Sequence, residues 1–226
     1  MISDLRQFIE TVALAAVALL PIVNPLGGAP IYLAKTVDLT VDQHGELAKR
    51  VALNCALLLL ASLLLGAYVL DFFGLSVPVV QVAGGLLVCS IAWSLLNAPD
   101  SPPAMQGEAR HVVTPGSLRQ RAFYPLTLPI TVGPGSISVA IALGADQSTG
   151  VRSAVVVGLG HITAVAIVAL AVFLCYRYAD RILRRLGDTG TVVVTRLSAF
   201  ILLCIGVQIL WNGVAALLAS RAAPGL

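Results

Sequence analysis

Charge is what this chain has least of. Only 11% of its 226 residues are Asp, Glu, Lys or Arg, against roughly 25% in ordinary soluble chains. So little charge cannot clothe a globule of this size in polar surface, which excludes a water-soluble enzyme and a soluble DNA-binding domain. The net charge of +3 does not point to nucleic acid either, because the basic residues are scattered between apolar runs and form no single face. No G-x-x-x-x-G-K-[ST] loop is present, so the chain alone is not expected to hydrolyse ATP. No Ser/His/Asp or metal-ligand constellation stands out, and the expectation is no enzyme, no cofactor and no metal. Cysteine is sparse: Cys55, Cys89, Cys175 and Cys204 all lie in apolar runs without a C-x-x-C pair, and they read as small reduced core thiols.

What the chain does have is long uncharged sequence: 58% of it is hydrophobic and the mean hydropathy is +0.93. Charge-free stretches cover 11–34, 51–70, 72–99, 122–145, 153–176 and 197–220. Each holds the ~20 apolar residues that carry a helix across ~30 Å of hydrocarbon. The expected fold is therefore all-α: a polytopic membrane protein of six transmembrane helices. Gly74, Ser76 and Pro78 delay the third helix to about Val79 and leave Asp71 to Val77 as a turn. Asp4 and Glu10 flank Arg6 ahead of the first stretch, so it reads as a retained span and not as a cleaved signal peptide.

Three spans at about 8–34, 51–70 and 79–97 form a first repeat, 1–97. A hydrophilic linker, 98–121, carries Pro99, Pro102, Pro103 and Pro115. A second repeat, 122–226, holds spans at about 122–145, 153–176 and 197–220. Both halves show the same order of features, a Pro/Gly-interrupted span, a Leu/Val-rich span, a turn and a final span, and Val79–Leu96 can be laid over Val194–Trp211. Three spans per half force the second half to enter the membrane with opposite polarity, an inverted repeat of the kind that transporters use. Eleven of the Lys and Arg residues fall on the linker side of the spans, and only Arg6, Arg152 and Arg221 fall on the other. The positive-inside rule then puts the linker in the cytoplasm and both termini outside, in an inner (plasma) membrane.

The first and fourth spans are broken. One contains Pro21, Asn24-Pro25-Leu26-Gly27-Gly28 and Pro30, the other Pro125, Pro129, Thr131 and Gly133-Pro134-Gly135-Ser136. Proline in a helix interior costs ~3 kcal/mol and Gly ~1, so these runs unwind. Unwound backbone is tolerated at membrane depth only inside protein or beside a cavity, and paired interruptions mark a binding site between halves. The candidate substrate-binding residues are Asn24, Pro25, Gly27, Gly28, Pro30, Thr131, Gly133, Pro134, Gly135 and Ser136. Pro30 and Pro134 suit first-turn positions of two new half-helices. The amides of Gly27, Gly28, Ala29, Gly135 and Ser136 would then face a small anion or carboxylate. Asn24 either bonds the far end of a zwitterion or caps its half-helix.

Asn24-Pro25-Leu26-Gly27 with Pro30, together with Pro125-Leu126, Pro129, Gly133-Pro134-Gly135 and Ile137, resembles the paired signatures of the MarC family of integral membrane proteins, also described as a neutral amino-acid transporter family. Relatives often carry Asn where Gly28 stands and Phe where Tyr32 stands. The resemblance spans the whole chain and implies a plasma-membrane protein, with amino-acid transport as the activity of some relatives.

Elsewhere, His161 lies well inside the fifth span, where an ionisable group is a candidate proton relay or substrate ligand, or else bonds a neighbouring helix. Gly158 and Gly160 would allow close helix packing, and Asn54, Gln81, Gln208 and Asn212 would bond across helices. Arg196 reads as an interfacial anchor, and Arg181, Arg184 and Arg185 as headgroup contacts. The expected partners are a small-molecule substrate and membrane lipids, with no nucleic acid; self-association into a homo-oligomer stays open.

Overall fold

The computed structural model describes residues 2–97, 115–145 and 151–222. Most of the expected linker, including its three prolines between 99 and 103, lies outside the described residues. Helices make up nearly all of what is described: α1 Ile2–Val23, α2 Pro25–Ala34, α3 Val41–Phe72, α4 Val77–Leu96, the short α5 Pro115–Arg121, α6 Pro134–Ala145, α7 Val151–Arg177 and α8 Ala179–Ala222. Between α5 and α6 runs an irregular wide coil, Ala122–Thr131. Five helical spans are long and apolar enough to cross a membrane, counting α1 with α2 as one. A pair bent by 73°, Leu118–Thr131 with Pro134–Ala145, makes the sixth. The all-α, six-span expectation holds.

Several helices outrun the apolar stretches that announce them. α3 begins ten residues before Val51, because Thr40 and Gln43 form a reciprocal capping box: the Thr40 amide donates to Gln43 Oε1 at 2.9 Å and the Gln43 amide to Thr40 Oγ1 at 3.4 Å. α4 starts at Val77 instead of Val79, since Pro78 is accepted in a first turn. α8 turns at Gly187, whose φ of 67° only glycine adopts cheaply, and its apolar span then runs from Thr189 to Ser220. The arginine-bearing Ala179–Leu186 stretch precedes that turn.

Packing divides the spans into two groups. One large cluster joins α1, α2, α3, the wide coil, α6 and α7 through Leu19, Val23, Tyr32, Leu59, Leu126 and Val168. A smaller cluster of Val88, Ala92 and Leu202 belongs to α4 and α8. Those two helices pack along their full length: a Cβ on Gly85 would sit 2.6 Å from the Leu210 amide and one on Gly213 2.7 Å from the Pro78 carbonyl. Small residues that let backbones touch are how helices associate where lipid removes the hydrophobic driving force. α3 and α6 meet in the same way, where a Cβ on Gly144 would fall on the Leu63 backbone. Leu14, Val17, Leu64 and Phe200 remain exposed around the outside, an apolar surface too extensive for water and suited to lipid.

Ion pairs tie the ends. Arg121 meets Asp38 at 2.7 Å at one end of the bundle, and Arg152 meets Asp4 at 2.7 Å at the other. Arg196 donates to the Leu96 carbonyl, so it staples α8 to the end of α4 and is more than a headgroup anchor. Gln208 and Asn212 bond each other within α8 at 2.8 Å, so this pair does not bridge helices. Gly160 packs on Thr11, as expected of a small residue, but nothing lies within 4 Å of a Cβ at Gly158. Cys55 is buried, whereas Cys204 is exposed and no core thiol; all four cysteines are free.

Candidate functional site

The two breaks are built differently. In the first span a single residue interrupts the helix: Asn24 adopts the left-handed conformation, φ 46° and ψ 62°, which Asn tolerates better than most residues. Helix resumes immediately, because Pro25 needs no amide partner and fits the first position. The Asn24 carboxamide oxygen accepts the Gly27 amide at 3.1 Å, and its backbone carbonyl accepts the Gly28 amide at 3.0 Å. Two expectations are thereby corrected. Pro30 lies inside α2 and does not open it, and the Gly27 and Gly28 amides are spent on the cap and are not offered to an anion. Asn24 itself is the N-cap, one of the two roles open to it.

The second break is longer. Tyr124 (φ −124°, ψ 127°) and Leu128 (φ −108°, ψ 127°) are extended, each just ahead of a proline, as the steric clash of proline with its predecessor requires. Val132 is extended too, and α6 begins at Pro134 as expected. The first amide that bonds back into that helix is Ile137, to the Gly133 carbonyl at 3.1 Å. The amides of Gly135 and Ser136, in the first turn, have no partner within the helix.

Both breaks face one cavity of about 210 Å³. Of the ten expected site residues, Asn24, Gly27, Gly28, Thr131, Gly133, Gly135 and Ser136 line it, while Pro25, Pro30 and Pro134 shape the backbone without lining it. Val88, Ile91, Leu95 and Leu202, from the α4/α8 pair, form the facing wall. Among the described residues, no ionisable side chain lines this cavity. His161 is not there; it borders a different cavity between α1 and α7.

Two residues of the site are not among the expected ones. Tyr32 and Tyr176 are fully buried and stacked, with ring centroids 4.6 Å apart. Thr131 donates its hydroxyl proton to the Leu126 carbonyl at 2.7 Å, which makes Tyr176 the donor across the 2.8 Å contact with Thr131. Tyr32 donates to the His44 carbonyl at 2.8 Å. A Cβ on Gly28 would lie 2.5 Å from the Tyr176 hydroxyl, so glycine is what lets the tyrosine reach Thr131 beneath the cavity. The available signal was a tyrosine inside an apolar run, whose buried hydroxyl must find a partner.

Compared with known proteins, the chain matches the model of the MarC family integral membrane protein over residues 9–218. It is 31% identical over 205 residues to the membrane protein YvbG of Bacillus subtilis, covering 87% of this chain and 90% of that one. A membrane protein of Pyrococcus abyssi is 28% identical over 92% of this chain and 96% of its own length. The inner membrane protein MarC of Salmonella typhimurium is 28% identical, with 93% and 96% covered. No solved structure matches the chain.

Proposed function

The chain belongs to the MarC family of integral membrane proteins, and from that premise we propose that it is a secondary transporter of a small solute, a neutral amino acid, bound between the two broken spans. The observation that carries this reading is the shared cavity: interruptions more than a hundred residues apart in sequence line one space. Its volume of about 210 Å³ falls below the ~300–1,000 Å³ of drug-sized ligand sites, which fits a small solute. The amides of Gly135 and Ser136, at the positive end of α6, suit a carboxylate. The Asn24 carboxamide oxygen has two lone pairs, only one of which the Gly27 amide uses, and the other can accept from the ammonium of the solute. Val88, Ile91, Leu95 and Leu202 suit an aliphatic side chain, and a wall whose described residues carry no charge suits a solute of no net charge.

Helix packing supports an inverted repeat of 1–97 and 122–226. α1 packs on α7 as the fourth span packs on α3, α2 on α8 as α6 on α4, and α3 with α7 and α4 with α8 pair across the halves. Exchanging spans one and four, two and five, three and six leaves this pattern unchanged. With the basic residues concentrated at the end that holds Arg121, both termini lie outside and the linker inside.

Flux into proteoliposomes, screened over the neutral amino acids, tests the function. Saturable counterflow of one of them supports it; no flux of any, with the protein folded, returns the chain to a membrane scaffold or accessory subunit. Accessibility of cysteines introduced at Gln106 and Leu226 tests the topology, and labelling of both from the same side overturns the inverted repeat.

A further inference from the structure

A second cavity, of about 260 Å³, lies between α1 and α7, and none of its lining residues lines the first. Gln7, Glu10, Thr11, Leu143, Val157 and His161 are among its walls. Among the described residues that line it, Glu10 and His161 are the two that ionise. We propose that this cavity is a proton-binding site that couples a proton gradient to movement of solute through the first cavity. The proposal rests on the transport reading above.

The chemistry balances simply. The His161 imidazole takes one proton from water, forming an N–H bond and an imidazolium opposite the Glu10 carboxylate, and later returns that proton to water. Imidazole is the side chain whose ordinary titration falls between pH 5 and 8, and Glu10 brings a carboxylate to the same cavity. From α1 the titratable group on the cavity is Glu10, whose Oε1 accepts from Arg6 Nε at 2.8 Å. α6 contributes Leu143. The Arg152–Asp4 pair lies farther out, nine residues from His161 along α7. The other elements packed on α7 bring no charge at membrane depth: 25–34, 51–70 and 197–220 contain none.

Coupling needs a mechanical link to the solute, and α1 supplies it. Gly160, beside His161, presses on α1 so closely that a Cβ would stand 2.8 Å from Thr11 Cγ2 and 3.5 Å from the Phe8 carbonyl. From that contact α1 continues as a helix to Val23, which with Asn24 lines the first cavity. Any shift of α1 on α7 changes the Glu10–His161 separation and the shape of the solute cavity together. A proton affinity that depends on conformation biases that conformation in turn.

The test has two arms. In the first, His44→Gln and His111→Gln leave His161 as the single histidine, and NMR of isotope-labelled histidine follows its titration in detergent. Titration between pH 5 and 8, with proton affinity lowered about tenfold by Glu10→Gln, is the expected result. A ring that takes up no proton in that range, or that ignores Glu10→Gln, overturns the proposal. In the second arm, proteoliposomes are assayed for L-valine counterflow at equal pH and for L-valine accumulation under a pH difference. The ratio of accumulation to counterflow should fall at least about tenfold in His161→Gln and in Glu10→Gln. Wild-type counterflow without any response to the pH difference overturns coupling, whereas absence of counterflow for every neutral amino acid overturns the transport reading.

Discussion

The two breaks do the same job with opposite means. In the first, a side chain replaces the missing turn: Asn24 caps α2 through its own oxygen, one left-handed residue suffices, and the span from Ser3 to Ala34 remains a single helix pair. In the second, no asparagine stands at the corresponding place. The backbone unwinds over Ala122–Thr131 and the span bends by 73°. A capped break hides its amides and an unwound one exposes them. On the proposed transport reading the carboxylate of the solute therefore belongs at α6, and the first break contributes the remaining lone pair of the Asn24 oxygen and shape.

Gly28→Ala should strike hardest at this division. Its methyl enters the 2.5 Å gap to the Tyr176 hydroxyl, and overpacking of a buried contact costs about 1–3 kcal/mol. The loss is read as a lower unfolding midpoint in detergent, and adding Tyr176→Phe, which vacates the space, should restore part of it. Full additivity of the two changes would mean that glycine is not there for the tyrosine.

Asn24 separates cap from contact. Asn24→Ala removes the cap and places a side chain unsuited to it at φ 46°, costing about 1–2 kcal/mol, whereas Asn24→Gly accepts that φ and costs only a few tenths. If the asparagine also holds solute, ligand-induced thermal stabilisation disappears in both variants. Stabilisation retained in Asn24→Gly would make the first break purely structural.

Gly135→Ala tests the uncapped break. Its Cβ would meet the Val88 side chain, which can turn aside, so folding should lose about 1 kcal/mol or less while solute-induced stabilisation falls because the methyl intrudes beside the amides. Val88→Ala in the same protein should recover the fold but not the binding. Gly133→Ala is the mild control: a Cβ there meets only the Pro129 carbonyl at 3.4 Å, and its effect on the midpoint should stay within about 0.5 kcal/mol.

Local chemistry accounts for what was legible in the chain. Six charge-free stretches had to become spans, because their backbone is satisfied in lipid only as helix, and the Pro/Gly runs had to interrupt two of them. Pro134 opens α6 as its missing amide dictates. Tertiary packing decided the rest. That Tyr176 reaches Thr131 depends on how closely Gly28 lets α7 approach. The wall of Val88, Ile91, Leu95 and Leu202 looks like any lipid-facing run in sequence, since an apolar residue carries no mark of whether it faces lipid or a cavity. Only the packing of α4 on α8, across the two halves of the chain, turns those residues toward the breaks.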